Sequence, residues 1–484
     1  MTTADLLHIL PLLVLAAGAV AGMLGIAIHR SHMMTFVLAL CTLVLSLLTL
    51  GVLAPSSTSY VTPLIRLDGY AVFFTGLLLV AAIAIVAISY GYLRERAVVR
   101  EEFYILTLTA MLGCVVLVSS THFASFFVGL ELLSVSLYIL IAYHRAQPTD
   151  IEAGIKYFIP AATSSAFLLF GISLVYARTG TMALSELIGV AAVPWRQGDL
   201  PALLGMAMIL IGIGFKLALV PFHFWAADVY EGSPVPVTAL IATASKGAVF
   251  ALLLRYFDAM DIQTRNPFFL VFTIVAIFTM FTGNYLALLQ NNIKRLLAYS
   301  SIAHVGYLLV AFLAGGRQAT TAVAFYLLAY FITTLGAFGV IAALSGKDRD
   351  LSSIGDYRGL VLRHPVLAAV LAAMMLSLAG IPLTAGFLGK FYVLFAGVRS
   401  DLWLLVLVLV ANSVISLFYY LRVVITLYQP VEPAWAQAPS AGRYVPAPSH
   451  SLIAAVVLAL LTLSLIGIGI YPSPVIQLIE TMTK

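Results

Sequence analysis

The chain is 484 residues long, 62% of them hydrophobic and only 9% charged, with a mean hydropathy of +1.07. Soluble globular proteins carry ~25% charged residues, so a soluble fold is excluded. The long continuous apolar runs also exclude an outer-membrane barrel, whose strands alternate apolar and polar positions. Cys41 and Cys114 sit inside apolar runs and are too few for a disulfide framework or a thiolate cluster, and the net charge of +5 is scattered rather than gathered into a nucleic-acid-binding tract.

A crossing takes ~20 apolar residues, and the runs predict an all-α polytopic membrane protein with about fourteen transmembrane helices. Residues 1–102 hold spans one to three, at 5–28, 34–53 and 71–92. The first run, Leu6 to Ile28, lacks a basic leader and is long enough to span, so it reads as a helix rather than a cleaved signal. Residues 103–257 hold spans four to eight, at 103–120, 122–143, 154–177, 202–221 and 235–257. Residues 258–427 hold spans nine to thirteen, at 267–290, 296–314, 319–345, 364–395 and 402–427, and residues 428–484 hold a loop and span fourteen at 450–472. The longest connections, 178–201, 346–363 and 428–449, are too short for a separate soluble domain.

Orientation follows from the loop cations. With fourteen spans, connections after odd-numbered spans carry thirteen Lys and Arg, including Arg30, Arg96, Lys294 and Arg295, against eight on the other side. Cytoplasmic loops are enriched in Lys and Arg, so both termini are expected to be periplasmic.

Five charges fall within spans: Glu131, Lys156, Lys216, Lys246 and Lys390. Each would cost ~2.5–3.5 kcal/mol at the centre of a lipid-facing helix, so such residues normally face a protein interior or a water-filled path. Lys156 lies about two residues into its span, where snorkelling to the interface explains it as well as function does. Lys246 and Glu131 lie mid-run, where snorkelling is difficult. Lys216 follows Gly212 and Gly214 and precedes Pro221, and Lys390 follows Gly380, Pro382, Gly386 and Gly389. Glycine and proline weaken a helix, and a break at membrane depth is tolerated only inside protein or along a cavity. Spans seven and twelve are therefore expected to be broken, each with a lysine beside the break. They are five helices apart, which is the pattern of two inverted five-helix repeats, spans four to eight and nine to thirteen.

His304, about eight residues into span ten, suits either a proton relay or a packed, hydrogen-bonded histidine. His223, Asp228 and Glu231 after span seven read as a cytoplasmic mouth or as ordinary loop charge. No Gly-rich nucleotide loop, CxxC pair or defensible haem-ligand pair is present.

Three stretches, GFKLALVPFHFWAADVYEGSPVPVTALIATASK, NNIKRLLAYSSIAHVGYLLV and LSLAGIPLTAGFLGKFYVL, resemble the antiporter-like membrane subunits of proton-pumping NADH:quinone oxidoreductase (respiratory complex I) and of Mrp-type cation/proton antiporters. The resemblance runs through the whole chain. Lys390 where M-type subunits carry a glutamate, and an end at Lys484 without the long lateral helix of L-type subunits, point to the N type. The resemblance implies a coupled ion pair of Glu131 and Lys216, a central Lys246, His304 on a hydrophilic axis, a terminal Lys390, and a part for Lys156. It also implies proton translocation coupled to electron transfer in other subunits. On that reading this chain has no cofactor of its own, and flavin, iron–sulfur clusters, NADH and quinone belong to partner subunits. The expected partners are other complex I subunits, above all a neighbouring M-type subunit and small membrane subunits, together with lipid and protons and no nucleic acid. The expected location is a bacterial inner membrane. An Mrp-type antiporter subunit is the alternative, and a purely structural membrane subunit a third reading.

Overall fold

Inside a bilayer no water is available to exposed peptide groups, so each spanning segment must close its own hydrogen bonds, and helices do so. The computed structural model describes residues 3–51, 59–96, 100–144, 147–184, 199–258, 267–347, 350–430 and 452–483. In chain order its main helices are α1 (Leu10–Ile28), α2 (His32–Leu50), α3 (Gly69–Arg94), α4 (Glu101–Ser119), α5 (Phe123–Ile141), α6 (Pro148–Thr179), α7 (Leu200–Leu217), α8 (Trp225–Gly232) and α9 (Val235–Tyr256). They continue with α10 (Pro267–Leu288), α11 (Ile293–Ala314), α12 (Gly316–Leu344), α13 (Pro365–Ala379), α14 (Ala385–Arg399), α15 (Trp403–Tyr428), α16 (Leu452–Ile470) and α17 (Ser473–Met482). Among the described residues, thirteen helices are long and apolar enough to cross a membrane. The remaining predicted crossing is the pair α13 and α14, of 15 residues each. Helices α9, α11 and α12 form the buried centre, while α1, α10 and α16 leave most of their surface open.

Both expected breaks are present. Helix α7 stops at Leu217 because Ala218 turns left-handed at φ 57°, a costly conformation for a residue with a Cβ. The chain resumes as α8 at Trp225, whose indole N–H donates to the Phe215 carbonyl at 3.0 Å and so satisfies a group freed by the break. Helix α13 stops at Ala379, with Gly380 at φ 87° and Leu383 at φ 71°, and Thr384 caps α14 by accepting from the Phe387 N–H. A third irregularity was not expected. Ile241–Ser245 form a π turn directly before Lys246, in a stretch with no glycine or proline to announce it. Single π turns inside helices occur mostly at functional positions.

Two halves of the chain repeat the same local construction 170 positions apart. The Phe123 N–H donates to Met182 O at 2.9 Å and the Ile293 N–H to Ser352 O at 2.7 Å. The Leu184 N–H donates to Thr121 O, and the Ile354 N–H to Asn291 O, both at 2.9 Å. His122 and Asn292 cap α5 and α11 through their side chains. A Cβ at Gly113 would come within 2.6 Å of Leu133 N and 2.8 Å of Gly129 O, and one at Gly283 would come equally close to Ala303 N and Tyr299 O. Only glycine permits these approaches of α4 to α5 and of α10 to α11.

Two expectations need correction. The all-α reading omits a small antiparallel hairpin, β1 (Ser59–Thr62) with β2 (Ile65–Leu67), where the connection before α3 pairs its own backbone. Lys294 is not a free loop cation. It lies in the first turn of α11 at 1% side-chain exposure and donates to Asp350 Oδ2 at 2.9 Å and to Ser233 O at 2.7 Å. Asp350 also receives Arg96 at 2.6 Å and the Tyr92 hydroxyl at 2.8 Å. One carboxylate thus joins α3, α11 and the connection before α13. Burial alone would raise its proton affinity, but Lys294 and Arg96 outweigh that and hold it well below the usual carboxylate range. With the folded pKa depressed, the stabilisation is full at neutral pH and fades only on strong acidification. At neutral pH, Asp350→Ala should leave two buried cations unpaired and cost about 3–5 kcal/mol. The expected result is a clear fall in the amount of chain in membranes and in its melting temperature in detergent, and unchanged values of both would show that Asp350 is no structural joint.

Candidate functional site

The charged residues singled out in the sequence converge on the interior in four places. The first lies where α5, α6 and α7 meet. The Lys216 side chain is buried, at 2% exposure, and its Nζ donates to Ser134 Oγ at 2.6 Å and to the Tyr157 hydroxyl at 3.3 Å. The rings of Tyr157 and Tyr138 lie 5.3 and 6.0 Å from Nζ, so the ammonium faces π-electron density as well as oxygen. Glu131 is half-buried on α5 and accepts from Ser165 Oγ of α6 at 2.5 Å. Ser134 is one helical turn beyond Glu131 on the same face. The lysine and the carboxylate therefore approach the same strip of α5, with the Lys216 ammonium bonded to hydroxyls.

Lys246 follows the π turn in α9, also at 2% exposure, and its Nζ donates to Ser301 Oγ of α11 at 2.7 Å. Ser301 also hydrogen-bonds the Tyr230 hydroxyl of α8 at 3.2 Å, and the Tyr230 ring lies 5.7 Å from the ammonium. One turn further along α11 is His304. Its Nδ1 is 2.6 Å from the Tyr326 hydroxyl and its Nε2 is 3.0 Å from that of Tyr420. A neutral imidazole donates from one nitrogen and accepts at the other, so both tyrosines are served. Tyr420 in turn bonds Ser300. His304 is within electrostatic reach of both Lys246 and Lys390. A cavity of about 10 Å³, lined by His304, Tyr330, Thr333 and Ser377, separates it from the break between α13 and α14, and is just large enough for one water.

Lys390, at 6% exposure, reaches back across that break. Its Nζ donates to the Ala379 carbonyl at 2.9 Å and to Ser413 Oγ of α15 at 3.1 Å, with the Tyr307 ring 5.4 Å away. Lys156 is placed differently. Its side chain is 45% exposed and pairs with Glu152 at 2.8 Å and with Asp228 at 2.7 Å. Asp228 also receives Arg295 at 2.6 Å, and Glu231 receives the same guanidinium at 2.8 Å. The acids after the α7 break are thus tied to α6 and α11, and His223 is buried.

The structure buries Lys216, Lys246, His304 and Lys390, each hydrogen-bonded to oxygen, and leaves Lys156 exposed. It adds oxygens that no motif signalled: Ser134, Ser301, Tyr157, Tyr230, Tyr326 and Tyr420. Helical spacing held a partial signal, since Ser134 lies three positions after Glu131 and Ser301 three before His304. Among the described residues, no group of three His, Cys, Asp or Glu side chains is placed to hold a metal ion.

Residues 120–416 match the family described as NADH:quinone oxidoreductase/Mrp antiporter, transmembrane. The chain is 46% identical over 483 residues to the NADH-quinone oxidoreductase subunit N of Methylococcus capsulatus (strain Bath), covering 99% of this chain and 95% of that protein. The subunit N of Ectopseudomonas mendocina is 45% identical over 487 residues, covering 99% and 97%. The chain belongs to the NADH-quinone oxidoreductase subunit N family. Among solved structures, a chain of respiratory complex I from Thermus thermophilus superposes on this subunit N family member with a TM-score of 0.80 at 33% identity, over 96% of this chain and 98% of that one. A chain of the Mrp complex from Dietzia superposes with a TM-score of 0.83 at 20% identity, over 100% and 97%, which shows a shared fold. All six candidate residues fall within the matched family region.

The contrast in exposure has a measurable consequence. In a Cys41→Ser background, where the remaining Cys114 is buried, Lys156→Cys should react with a water-soluble maleimide and Lys246→Cys should not. Equal labelling of the two in membrane vesicles, read by mass shift on a gel, would mean that the centre of the bundle is open to bulk water.

Proposed function

We propose that this chain is a proton-translocating membrane subunit of NADH:quinone oxidoreductase, with Glu131, Lys216, Lys246, His304 and Lys390 as its proton path and Lys156 at the path's edge. The observation that carries the reading is a set of three lysines and a histidine buried in the interior of a subunit N family chain, each hydrogen-bonded to a hydroxyl or a carbonyl. Electron transfer takes place in partner subunits, and flavin, iron–sulfur clusters, NADH and quinone are assigned to them, with none to this chain. The partners are other complex I subunits, including a neighbouring antiporter-like chain. The likeness to the Mrp complex is one of fold, and the 45–46% identity to subunit N favours complex I over an antiporter assembly.

Burial disfavours a charged lysine and a nearby carboxylate favours it. A change in the approach of Glu131 to Lys216 would shift the balance between holding and releasing a proton. Lys246 and His304 would pass the proton on, and Lys390, beside the second break, would exchange it with water. The local repeat at a constant register of 170 supports a division into an N-terminal part at 1–102, two inverted five-helix units at 103–257 and 258–427, and a C-terminal part at 428–484. The loop of that last part at 431–451 lies outside the described residues.

In a double-mutant cycle, Glu131→Ala and Lys216→Ala should each slow proton-coupled turnover per assembled complex. The double variant should lose less than the two losses combined, with a coupling of ~0.5–3 kcal/mol. Strictly additive losses would show that the two residues act separately. For a chain in a bacterial inner membrane with periplasmic termini, alkaline phosphatase fused after Lys484 should be active and a fluorescent protein there dark. The reverse pattern would overturn the orientation read from the thirteen-to-eight basic bias.

A further inference from the structure

The three buried lysines of the path differ from Lys294 in what holds them. Lys294 meets the Asp350 carboxylate, which can only accept and therefore fixes it as an ammonium. Lys216 and Lys246 each meet a serine of a neighbouring helix, Ser134 on α5 and Ser301 on α11, both buried. The two hydroxyls are held alike. Ser134 donates back to Leu130 O at 2.5 Å, and Ser301 to Ala298 O at 2.7 Å. In the register of 170 that relates α5 to α11, Ser301 stands where α5 has Glu131, and Ser134 stands where α11 has His304. The hydroxyls are thus not copies of one motif. Each of α5 and α11 carries a serine at one of the two equivalent positions, facing a lysine of the first unit, and an ionisable group at the other.

We propose that Ser134 and Ser301 are positioning residues that hold Lys216 and Lys246 in both their charged and their neutral states. A serine hydroxyl has one donor and two acceptor positions. Facing an ammonium, the oxygen accepts and its own hydrogen rests on the carbonyl one turn back. When the lysine gives its proton to a water or a neighbouring titratable group, one lysine N–H bond breaks and the amine gains a lone pair. The hydroxyl then swings its hydrogen from the carbonyl to that lone pair, and the serine O–H bond is never broken. The carbonyl keeps its place in the helix, where such back-bonding is a weak addition. A carboxylate at the same point would lock the lysine charged, and an apolar side chain would leave the ammonium without an acceptor. Lys390 meets a serine hydroxyl as well, Ser413, but shares its ammonium with the Ala379 carbonyl, which can only accept.

This proposal rests on the lysines being proton carriers, and the test separates the two claims. Proton-coupled NADH:quinone turnover is measured in membrane vesicles, per assembled complex on a native gel and across pH, for Ser301→Ala, Ser301→Thr and Ser301→Asp, for the same three changes at Ser134, and for Lys246→Ala. The titratable groups facing Lys246 are Tyr230 of α8, His304 of α11 and Tyr330 of α12, and those facing Lys216 are Glu131 and Tyr138 of α5 and Tyr157 of α6. None of them is altered in these variants. The alanine variants should lose roughly tenfold in turnover, the scale of one hydrogen bond to a charged group, and the threonine variants should recover most of it. The alkaline limb of the pH profile should move to lower pH with alanine and to higher pH with aspartate. Alanine variants with normal turnover, or alanine and aspartate variants impaired alike with an unmoved profile, would overturn the proposal and leave the lysine path standing. Normal proton coupling in Lys246→Ala would instead overturn the lysine path, and the proposal with it.

Discussion

An ammonium in a low-dielectric interior is tolerable only where oxygen atoms stand in the directions of its N–H bonds. That requirement organises the centre of this protein. Four lysines lie inside it at 6% exposure or less, and each has oxygen within 3.1 Å. What varies is the kind of oxygen. Asp350 brings a full negative charge to Lys294, and together with Arg96 and Tyr92 this makes a fixed joint between distant parts of the chain. Lys216, Lys246 and Lys390 meet only hydroxyls and a carbonyl, which satisfy the ammonium without cancelling its charge. The first arrangement builds the fold and the second leaves a charge that can change.

The two broken helices serve the same end. A continuous helix spends every internal carbonyl on its own ladder. At the breaks, Phe215 O is released to the Trp225 indole and Ala379 O to the Lys390 ammonium. Backbone polarity is thus brought to the middle of an apolar bundle without exposing it to lipid. The interruptions are kept in place by left-handed residues at Ala218, Gly380 and Leu383 and by the cap at Thr384. The ion pairs of Asp228 and Glu231 with Lys156 and Arg295 fix the second half of the first broken span against its neighbours.

Most of the helical plan was legible in the sequence, because apolar runs of spanning length have few other uses. The breaks were legible too, since Pro221, Gly380 and Pro382 fall within them, although Gly212 and Gly214 stay inside α7. Glu131, Lys216, Lys246 and Lys390 stood out because isolated charges in apolar runs are expensive. The rest was hidden for identifiable reasons. Lys294 sits next to Arg295 at a helix start and reads as loop charge, and only the arrival of Asp350 from 56 positions away shows that it is interior. Ser134 and Ser301 are small, common residues whose partners come from other helices. The π turn before Lys246 has no compositional mark. The hairpin before α3 is too short for its alternation to register.

The close seating of α4 on α5 and of α10 on α11 bears on how this machine can move. With main chain against main chain at Gly113 and Gly283, neither pair can slide without a steric clash, so each behaves as a rigid plank. Both planks carry residues of the proposed path, Glu131 on one and His304 on the other. Lys216 and Lys390 sit instead beside the hinges, on or just past the interrupted helices. A motion that bent the chain at the breaks would then draw a lysine along a stationary row of oxygens, and the reach of that bend would set the distances between the lysines and their partners.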